Sequence, residues 1–235
     1  MRQRAIVLGA VIAFALLLSA CQQAAAPTAV QPTRSPVTTP RPTVTPVVPA
    51  ATPAPALALD QVGAAASPSG FMAFAVISNL SAETAFDVKI AITAVSGSGQ
   101  SLARREASIA RIAAGQRQAV AVPFPVGRTL PAQFSGSIAN VRWVSDSSAD
   151  VAEVSGANFI QDARTPSVRV HVVNHGQGVA RVFLIAVCWD AAGHIRGGGS
   201  RTATVGADPQ GHDVVVDVFI AAVPAHCDGY GLAVS

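Results

Sequence analysis

Short apolar runs recur through the C-terminal three quarters of the chain, and each run ends at a cluster of Gly, Ser, Asn, Asp or Pro residues. The runs are rich in Val, Ile and Ala and follow one another at a spacing of roughly ten residues, which is typical of consecutive short strands. Strands in such a series favour an all-β sandwich over βαβ units. The pattern therefore predicts an all-β fold for the part of the chain after residue 56.

The chain also repeats this pattern at an interval of 94 or 95 residues. In each copy an Asn ends one apolar run, a Gly follows the next run, and a third run comes later at nearly the same interval. Several landmarks at one interval indicate a tandem duplication. The paired landmarks are Asn79 with Asn174, Gly99 with Gly193, and residues 120–124 with 215–219.

The duplication predicts two β-sandwich domains, at residues 57–146 and 147–235. Asn79 and Asn174 suit the ends of their strands, because an Asx side chain can bond the backbone that follows it. The segments Ser96–Gly99 and Asp190–Gly193 are predicted to be hairpin turns between strands.

Residues 101–114 have a pattern that suits two structures. Leu102, Ile109 and Ile112 lie near helical spacing, and Gly115 could end a helix there. The counterpart in the second copy contains three consecutive glycines, at 197–199, and each costs a helix roughly 1 kcal/mol relative to Ala. We therefore predict a strand at both places.

The first 21 residues have a different pattern. Arg2 and Arg4 precede an apolar run at 5–18, which is shorter than the roughly 20 residues a membrane span requires and has the length of a signal-peptide core. The run ends in Leu18-Ser19-Ala20-Cys21, which resembles the lipobox of bacterial lipoproteins. The resemblance implies that residues 1–20 are a signal peptide and that Cys21, the first mature residue, carries diacylglycerol. An ordinary signal peptide or an uncleaved anchor helix is the alternative.

Residues 21–56 form the next segment, which holds nine of the sixteen prolines between positions 27 and 55, with many Thr residues among them. Proline fixes φ and removes a backbone donor, so the segment is expected to be an extended linker of roughly 3 Å per residue. Together with the lipobox, it predicts a protein of the cell envelope. Cys21 would anchor it to a bacterial membrane, with the folded domains outside the cytoplasm.

Composition and charge narrow the function classes. Half of the chain is hydrophobic and only 12% is charged, which excludes a charged disordered protein. The formal charge of +3 includes Arg2 and Arg4, and removing them leaves 14 basic against 13 acidic residues, or +1. A chain that is nearly neutral after cleavage gives no support to nucleic-acid binding.

The second copy carries Trp189-Asp190 followed by Gly193, directly after a long apolar strand. This arrangement resembles the FxLYD-type domains of bacterial extracytoplasmic proteins. The resemblance implies that the two predicted domains are immunoglobulin-like sandwiches with an aromatic-Asp turn after a central strand. The sequence departs from that pattern at Ala186 and Cys188, where the family has larger apolar residues.

Two cysteines remain besides Cys21, and both are in the second copy. Outside the cytoplasm an even pair predicts a disulfide, here between Cys188 and Cys227. The two sulfurs come close together if the last strand, near 230–234, runs antiparallel beside the strand at 182–189. Two buried free thiols are the alternative.

All five histidines also lie in the second copy, so a metal site is conceivable. The spacing supports it poorly, and we expect ordinary surface histidines and no bound metal or other cofactor. The candidate ligands, if a metal site existed, would be His171, His175 and His226.

Signatures of the common enzyme classes are absent from the sequence, so we expect a non-catalytic protein. Asp146, Asp150 and Glu153 form a local acidic cluster that is expected to be a solvated turn between the domains rather than an acid–base pair or a calcium site. A basic cluster, Arg104, Arg105, Arg111 and Arg117, is expected to be a solvated sheet face, with a patch for anionic lipid or polysaccharide as the sharper hypothesis.

These inferences predict a membrane-anchored interaction or structural module that binds a protein or an envelope polymer. The alternative is a small-ligand or glycan-binding module of an uptake or sensing system. Glycan-binding sandwiches usually present exposed aromatic rings, and the candidates here (Trp143, Trp189 and Tyr230) are better explained by strand packing.

Overall fold

The computed structural model describes residues 54, 56–125, 131–146, 148, 150–161 and 165–234. These residues form an all-β fold, as predicted, and none of them is in a helix that could cross a membrane. The predicted signal peptide, Cys21 and nearly all of the predicted linker lie outside the described residues. The strands are β1 (Leu57–Ser67), β2 (Gly70–Asn79), β3 (Thr84–Val95), β4 (Ser101–Ile112), β5 (Arg117–Pro125), β6 (Gln133–Val144), β7 (Ala152–Ile160), β8 (Ser167–Asn174), β9 (Ala180–Trp189), β10 (Ile195–Val205), β11 (His212–Asp217), β12 (Phe219–Ile220) and β13 (His226–Val234).

Every described strand pairing is antiparallel, and the strands build four sheets. We call β1-β2-β5 sheet I, β4-β3-β6 sheet II, β11-β8-β7 sheet III and β12-β10-β9-β13 sheet IV. The ambiguous segment after Ser101 is strand β4, so the preference for strand over helix is confirmed.

The two halves of the chain have the same strand order. Sheets I and II correspond to sheets III and IV, with the short strand β12 as an addition at the edge of sheet IV. The register corrects one detail of the repeat: Ile77 pairs with Gln118, whereas Val172, 95 residues after Ile77, pairs with His212, 94 residues after Gln118. The second half is one residue shorter between its Asn landmark and its Gly landmark, so β11 corresponds to β5 at an interval of 94 and not 95.

The four sheets are stacked in the order II, I, IV, III. One apolar core lies between sheets I and II and contains Ile77, Ile90 and Val122. A second core lies between sheets III and IV and contains Val170 and Leu184. A third core joins sheets I and IV, so the two halves bury apolar surface against each other. Its buried members are Phe74, Val76, Ala119, Ile185, Val187, Trp189, Ile195 and Tyr230.

This third core explains why some strands are continuously apolar instead of alternating. In β2 the run Ala73–Ile77 is buried at every position, and in β9 the run Leu184–Trp189 is buried at every position too. A strand with only one buried face would carry a polar residue at every second position. The continuous runs belong to strands of sheets I and IV that are covered on both faces.

The three glycines of β10 allow close approach of the neighbouring strands. A Cβ at Gly197 or Gly199 would overlap the backbone carbonyl of Phe219 or Asp217. A Cβ at Gly198 would overlap the carbonyl of Ala186 and lie 3.0 Å from the ring of Phe74. The glycines therefore make room both for the chain that crosses from β11 to β12 and for the core between sheets I and IV.

Candidate functional site

The cysteine pair lies where the sequence places it. Strand β13 runs antiparallel beside β9, and Cys227 is directly opposite Cys188 with their Cα atoms 4.1 Å apart. The two sulfurs form a disulfide, as predicted. The bond joins two buried positions in sheet IV, so it is a staple of the framework rather than a surface group.

The three histidines considered as metal ligands are in different environments. His171 Nδ1 lies 2.8 Å from an Asp213 carboxylate oxygen, and His175 Nε2 lies 3.1 Å from Glu153. The ring of His226 stacks on Trp189 with a centroid distance of 6.1 Å. In the described part of the chain no three His, Cys, Asp or Glu side chains are placed to share a metal ion.

The bond to Asp213 raises the pKa of His171 above its usual value, since it favours the protonated ring. This makes His171 and Asp213 an ion pair across β8 and β11 in mildly acidic conditions.

The aromatic candidates serve the cores, as expected. Trp189 and Tyr230 are buried in the core between sheets I and IV, and Trp143 packs against the core between sheets I and II. Burial and the nearby Asp228 carboxylate raise the pKa of Tyr230 far above its usual range, so its hydroxyl stays protonated. These rings do not form an exposed aromatic platform.

The predicted acidic and basic clusters are divided among ion pairs. Arg111 reaches from β4 into the connection between β6 and β7, where it contacts both Asp146 and Asp150. Glu153 pairs with His175 instead, so the three acidic residues do not converge. Hydrogen bonds from Ser148, with Arg111 nearby, hold the pKa of Asp146 below its usual value.

The remaining arginines of the basic cluster do not form one patch. Arg104 lies 3.4 Å from Glu106 on the exposed surface of β4, while Arg117 on β5 lies 3.0 Å from Asp60 on the other edge of sheet I. Because Arg104, Arg111 and Arg117 each pair with a different acidic partner, only Arg105 of the predicted cluster has no ion pair among the described residues, and these residues do not support the hypothesis of a joint patch for an anionic polymer.

The aromatic-Asp turn is built around the carboxylate of Asp190. Its Oδ1 accepts hydrogen bonds from the backbone N–H groups of Ala192 and His194, both at 2.9 Å, and its Oδ2 accepts one from Arg196 at 2.7 Å. Gly193 has φ +78° and donates to the Asp190 carbonyl. The predicted hairpin turn is confirmed here, and Ser96–Gly99 forms its counterpart, with Gly99 at φ +82°.

A groove with a volume of about 420 Å³ lies at the seam between the two halves. It is bordered by the start of β5, the β6–β7 connection, the start of β7, the β8–β9 loop and β13. We call it the seam groove. Its polar side chains are Gln116, Arg117, Gln118, Ser148, Asp150, Glu153, His175 and Tyr230.

A smaller cavity of about 220 Å³ adjoins the seam groove and shares Gln118, Ser148, Asp150, Ala152 and Gly231 with it. Gln118 is 8% exposed, and its Nε2 donates to the Gly231 carbonyl at 3.2 Å. Its Oε1 is buried and has no hydrogen-bond partner among the described residues. The seam therefore contains a buried acceptor to which none of the described residues donates a hydrogen bond.

Sequence reasoning did not single out Gln118, although one signal was present. Alternation along β5 puts it on the same face as Val120 and Val122, which are core residues, so a glutamine occupies a core-facing position. What the sequence lacks is any indication that β13, more than a hundred residues later, supplies the opposite wall.

Comparisons with known proteins do not add to this description: no protein-family model matches the chain, and a search of curated proteins found no similar sequence.

Proposed function

We propose that the protein is a non-catalytic interaction module of the cell envelope, anchored to a bacterial membrane through a lipid on Cys21. Residues 1–20 are its signal peptide, and the Pro-rich segment 21–56 is the tether that holds the folded part away from the membrane. The support is the sequence Leu18-Ser19-Ala20-Cys21 at the end of a short apolar run.

We also infer that each half of the folded part is an immunoglobulin-like sandwich, so that the module is a tandem pair. The repeated strand order of sheets I and II in sheets III and IV favours this assignment. Antiparallel sheets packed face to face over alternating apolar positions are the architecture of such domains.

The observation that carries the interaction role is the arrangement of charge at the seam groove. Arg117 is paired with Asp60, Asp150 with Arg111, and Glu153 with His175. These side chains stabilise one another, so they are not converging on the point where a reacting atom would sit. A groove with internally paired charges in a rigid framework is suited to binding a partner, which here is a protein or an envelope polymer.

The anchor is tested by membrane fractionation of cells that express the full chain or its Cys21→Ala variant. The wild type should be found with membranes and should incorporate radiolabelled palmitate, whereas the variant should do neither. Ser19→Ala is the control, since it keeps a small residue before the cysteine. Unchanged membrane association and labelling of Cys21→Ala would contradict the lipid anchor.

The interaction role is tested by sedimenting the purified full chain with cell-envelope fragments, before and after proteins are stripped from the fragments. Saturable co-sedimentation with either preparation is expected, and the comparison tells a polymer from a protein partner. A chain that stays in the supernatant with both preparations would contradict the role.

A further inference from the structure

The smaller cavity that adjoins the seam groove is bordered by two side chains that each carry a buried polar atom without a hydrogen-bond partner among the described residues. Gln118 Oε1 is a hydrogen-bond acceptor, and Arg111 Nε carries a donor N–H. Arg111 Nε does lie 3.4 Å from an Asp146 carboxylate oxygen, which is an ion-pair distance without hydrogen-bond geometry.

Buried polar groups without a hydrogen-bond partner are uncommon and destabilise the folded protein. A single hydroxyl group is complementary to both, because it donates one hydrogen bond and accepts others. The donor and the acceptor therefore indicate a hydroxyl-bearing molecule, whose hydroxyl would donate to Gln118 and accept from Arg111.

The charges around the groove limit which class of ligand fits there. The cations and carboxylates at its rim already have partners within the chain, namely Asp60 for Arg117 and His175 for Glu153. A strongly charged ligand would have to displace these pairs, whereas a neutral ligand leaves them intact.

The size of the site also favours an extended molecule. The groove and its adjoining cavity have volumes of about 420 and 220 Å³, and both are bordered by Gly231 of β13. A volume of this order is within the roughly 300–1,000 Å³ of small-molecule sites, which is more than one hydroxyl requires.

We propose that the seam groove and the adjoining cavity bind a neutral saccharide segment, with one sugar hydroxyl placed between Gln118 and Arg111. This rests on the proposed interaction function and identifies the saccharide part of an envelope polymer as the partner. The segment is held by hydrogen bonds and not by an exposed aromatic platform, which Trp143, Trp189 and Tyr230 do not form. The amide oxygen of Gln118 is buried, so binding requires the amide to rotate about its terminal torsion, which is soft in glutamine. Binding is noncovalent, so no covalent bond forms or breaks.

The test is equilibrium dialysis of the full chain, purified in a detergent without a sugar headgroup, against radiolabelled chitotriose and maltotriose. Penta-alanine and inorganic phosphate are the peptide and anion probes. Saturable binding of at least one trisaccharide is expected, with neither penta-alanine nor phosphate competing.

Gln118→Leu removes the acceptor and should weaken trisaccharide binding at least tenfold. Gln133→Leu makes the same change at an exposed position at the start of β6, away from the groove, and should bind as the wild type does. Glu153→Gln changes only an exposed rim side chain. It weakens the ion pair with His175 that shapes the rim of the groove, and because an exposed ion pair contributes little, it should weaken binding only about threefold. The competition by penta-alanine and phosphate, measured on the wild type, keeps the test decisive if Gln118→Leu does not fold.

Several results would overturn the proposal. They are binding of penta-alanine or phosphate in place of both sugars, equal binding by Gln118→Leu and the wild type, or an equal loss in Gln133→Leu. Absence of trisaccharide binding at tens of millimolar would show that water satisfies the two unpartnered atoms. Each of these results leaves the membrane fractionation and the envelope sedimentation unaffected, so failure of the saccharide site is distinguishable from failure of the interaction role.

Discussion

Asn79 and Asn174 show how one residue type fixes the same local structure in both halves. In each, the side-chain amide Nδ2 donates a hydrogen bond to the backbone carbonyl four residues later, at 2.8 Å in the first half and 2.7 Å in the second. Each also donates to the end of the neighbouring hairpin strand, at Ile112 or Val205, and each Oδ1 accepts from the backbone N–H two residues later. The side chains are almost completely buried, so their hydrogen bonds satisfy backbone carbonyls at the strand ends that water cannot reach.

Asn174→Ala should lower the free energy of unfolding by about 3 kcal/mol, because it leaves buried carbonyls without donors. Asn174→Asp should be at least as destabilising, since a carboxylate keeps the acceptor and faces those carbonyls with negative charge. Asn140→Ala, at an exposed position in β6, should change stability by less than about 0.5 kcal/mol. Urea unfolding measures all three, and a loss in Asn174→Ala no larger than in Asn140→Ala would contradict the role.

Asp190 gives the stability a pH dependence. Its carboxylate accepts a backbone bond from His194 and is paired with Arg196, which lowers its pKa from 3.8 to about 2. Because the pKa is lower in the folded state, the stabilisation is fully present above the unfolded value of 3.8 and is lost as the pH falls through about 2. Asp190→Asn should therefore lose less stability than the wild type between about pH 4 and pH 2. Urea midpoints measured across this range check it, and equal losses in the two proteins would exclude Asp190 as a source.

At the scale of elements, strand β10 depends on the absence of side chains. Its three glycines lie against the carbonyls of Ala186, Asp217 and Phe219, and Gly198 also faces the ring of Phe74. Sheets I, III and IV approach one another at this strand, so a single Cβ would disturb more than one interface. From the sequence alone, these three glycines argue only against a helix at this place and do not show which strands come close to them.

Gly198→Ala should destabilise the protein by at least about 1–3 kcal/mol, the usual range for overpacking, because its Cβ meets backbone atoms that cannot rotate away. Gly178→Ala is the matched control. It is exposed with open space around its Cβ position, and its stability should stay equal or rise by up to about 1 kcal/mol. Thermal and urea unfolding compare them, and equal stability of the two variants would show that β10 tolerates a wider spacing.

At the scale of the whole molecule, the two halves share the core between sheets I and IV. Two glutamine side chains also bond across the seam, one from each edge of sheet I. Gln61 accepts from the Ile195 N–H at 2.8 Å, and Gln118 donates to Gly231. The module is therefore expected to unfold as one cooperative unit rather than as two independent sandwiches.

Phe74→Ala should lower the stability of both halves together, by about 3–5 kcal/mol, because Phe74 is fully buried in the shared core. Trp143 lies in the first half and Trp189 at the seam, so single-tryptophan versions made with Trp143→Phe or Trp189→Phe report on the two places. The two urea midpoints should coincide before the substitution and fall together after it. Two separate transitions in the parent protein would contradict the shared core.

Much of this architecture is already predictable from local patterns in the sequence. Alternating and continuous apolar runs predict strands, and Asn79 and Gly99 with their counterparts indicate the duplication. Position 193 requires a residue that tolerates positive φ, and glycine provides it. The cysteine pair is predictable because only Cys188 and Cys227 remain in the folded part and their strands are expected to be neighbours.

The stacking of sheet I on sheet IV, and with it the seam groove, depends on the tertiary structure. An apolar strand such as β2 shows that both faces are covered without showing what covers them, because the hydrophobic effect is non-directional. Gln118 and Gly231 are 113 positions apart, and only the packing of the halves brings them within 3.2 Å. The sequence by itself therefore determined the strands, the turns and the staple, which follow from local geometry and residue type. The tertiary structure decided which faces meet and where the seam groove lies, since that depends on how two complete surfaces fit together.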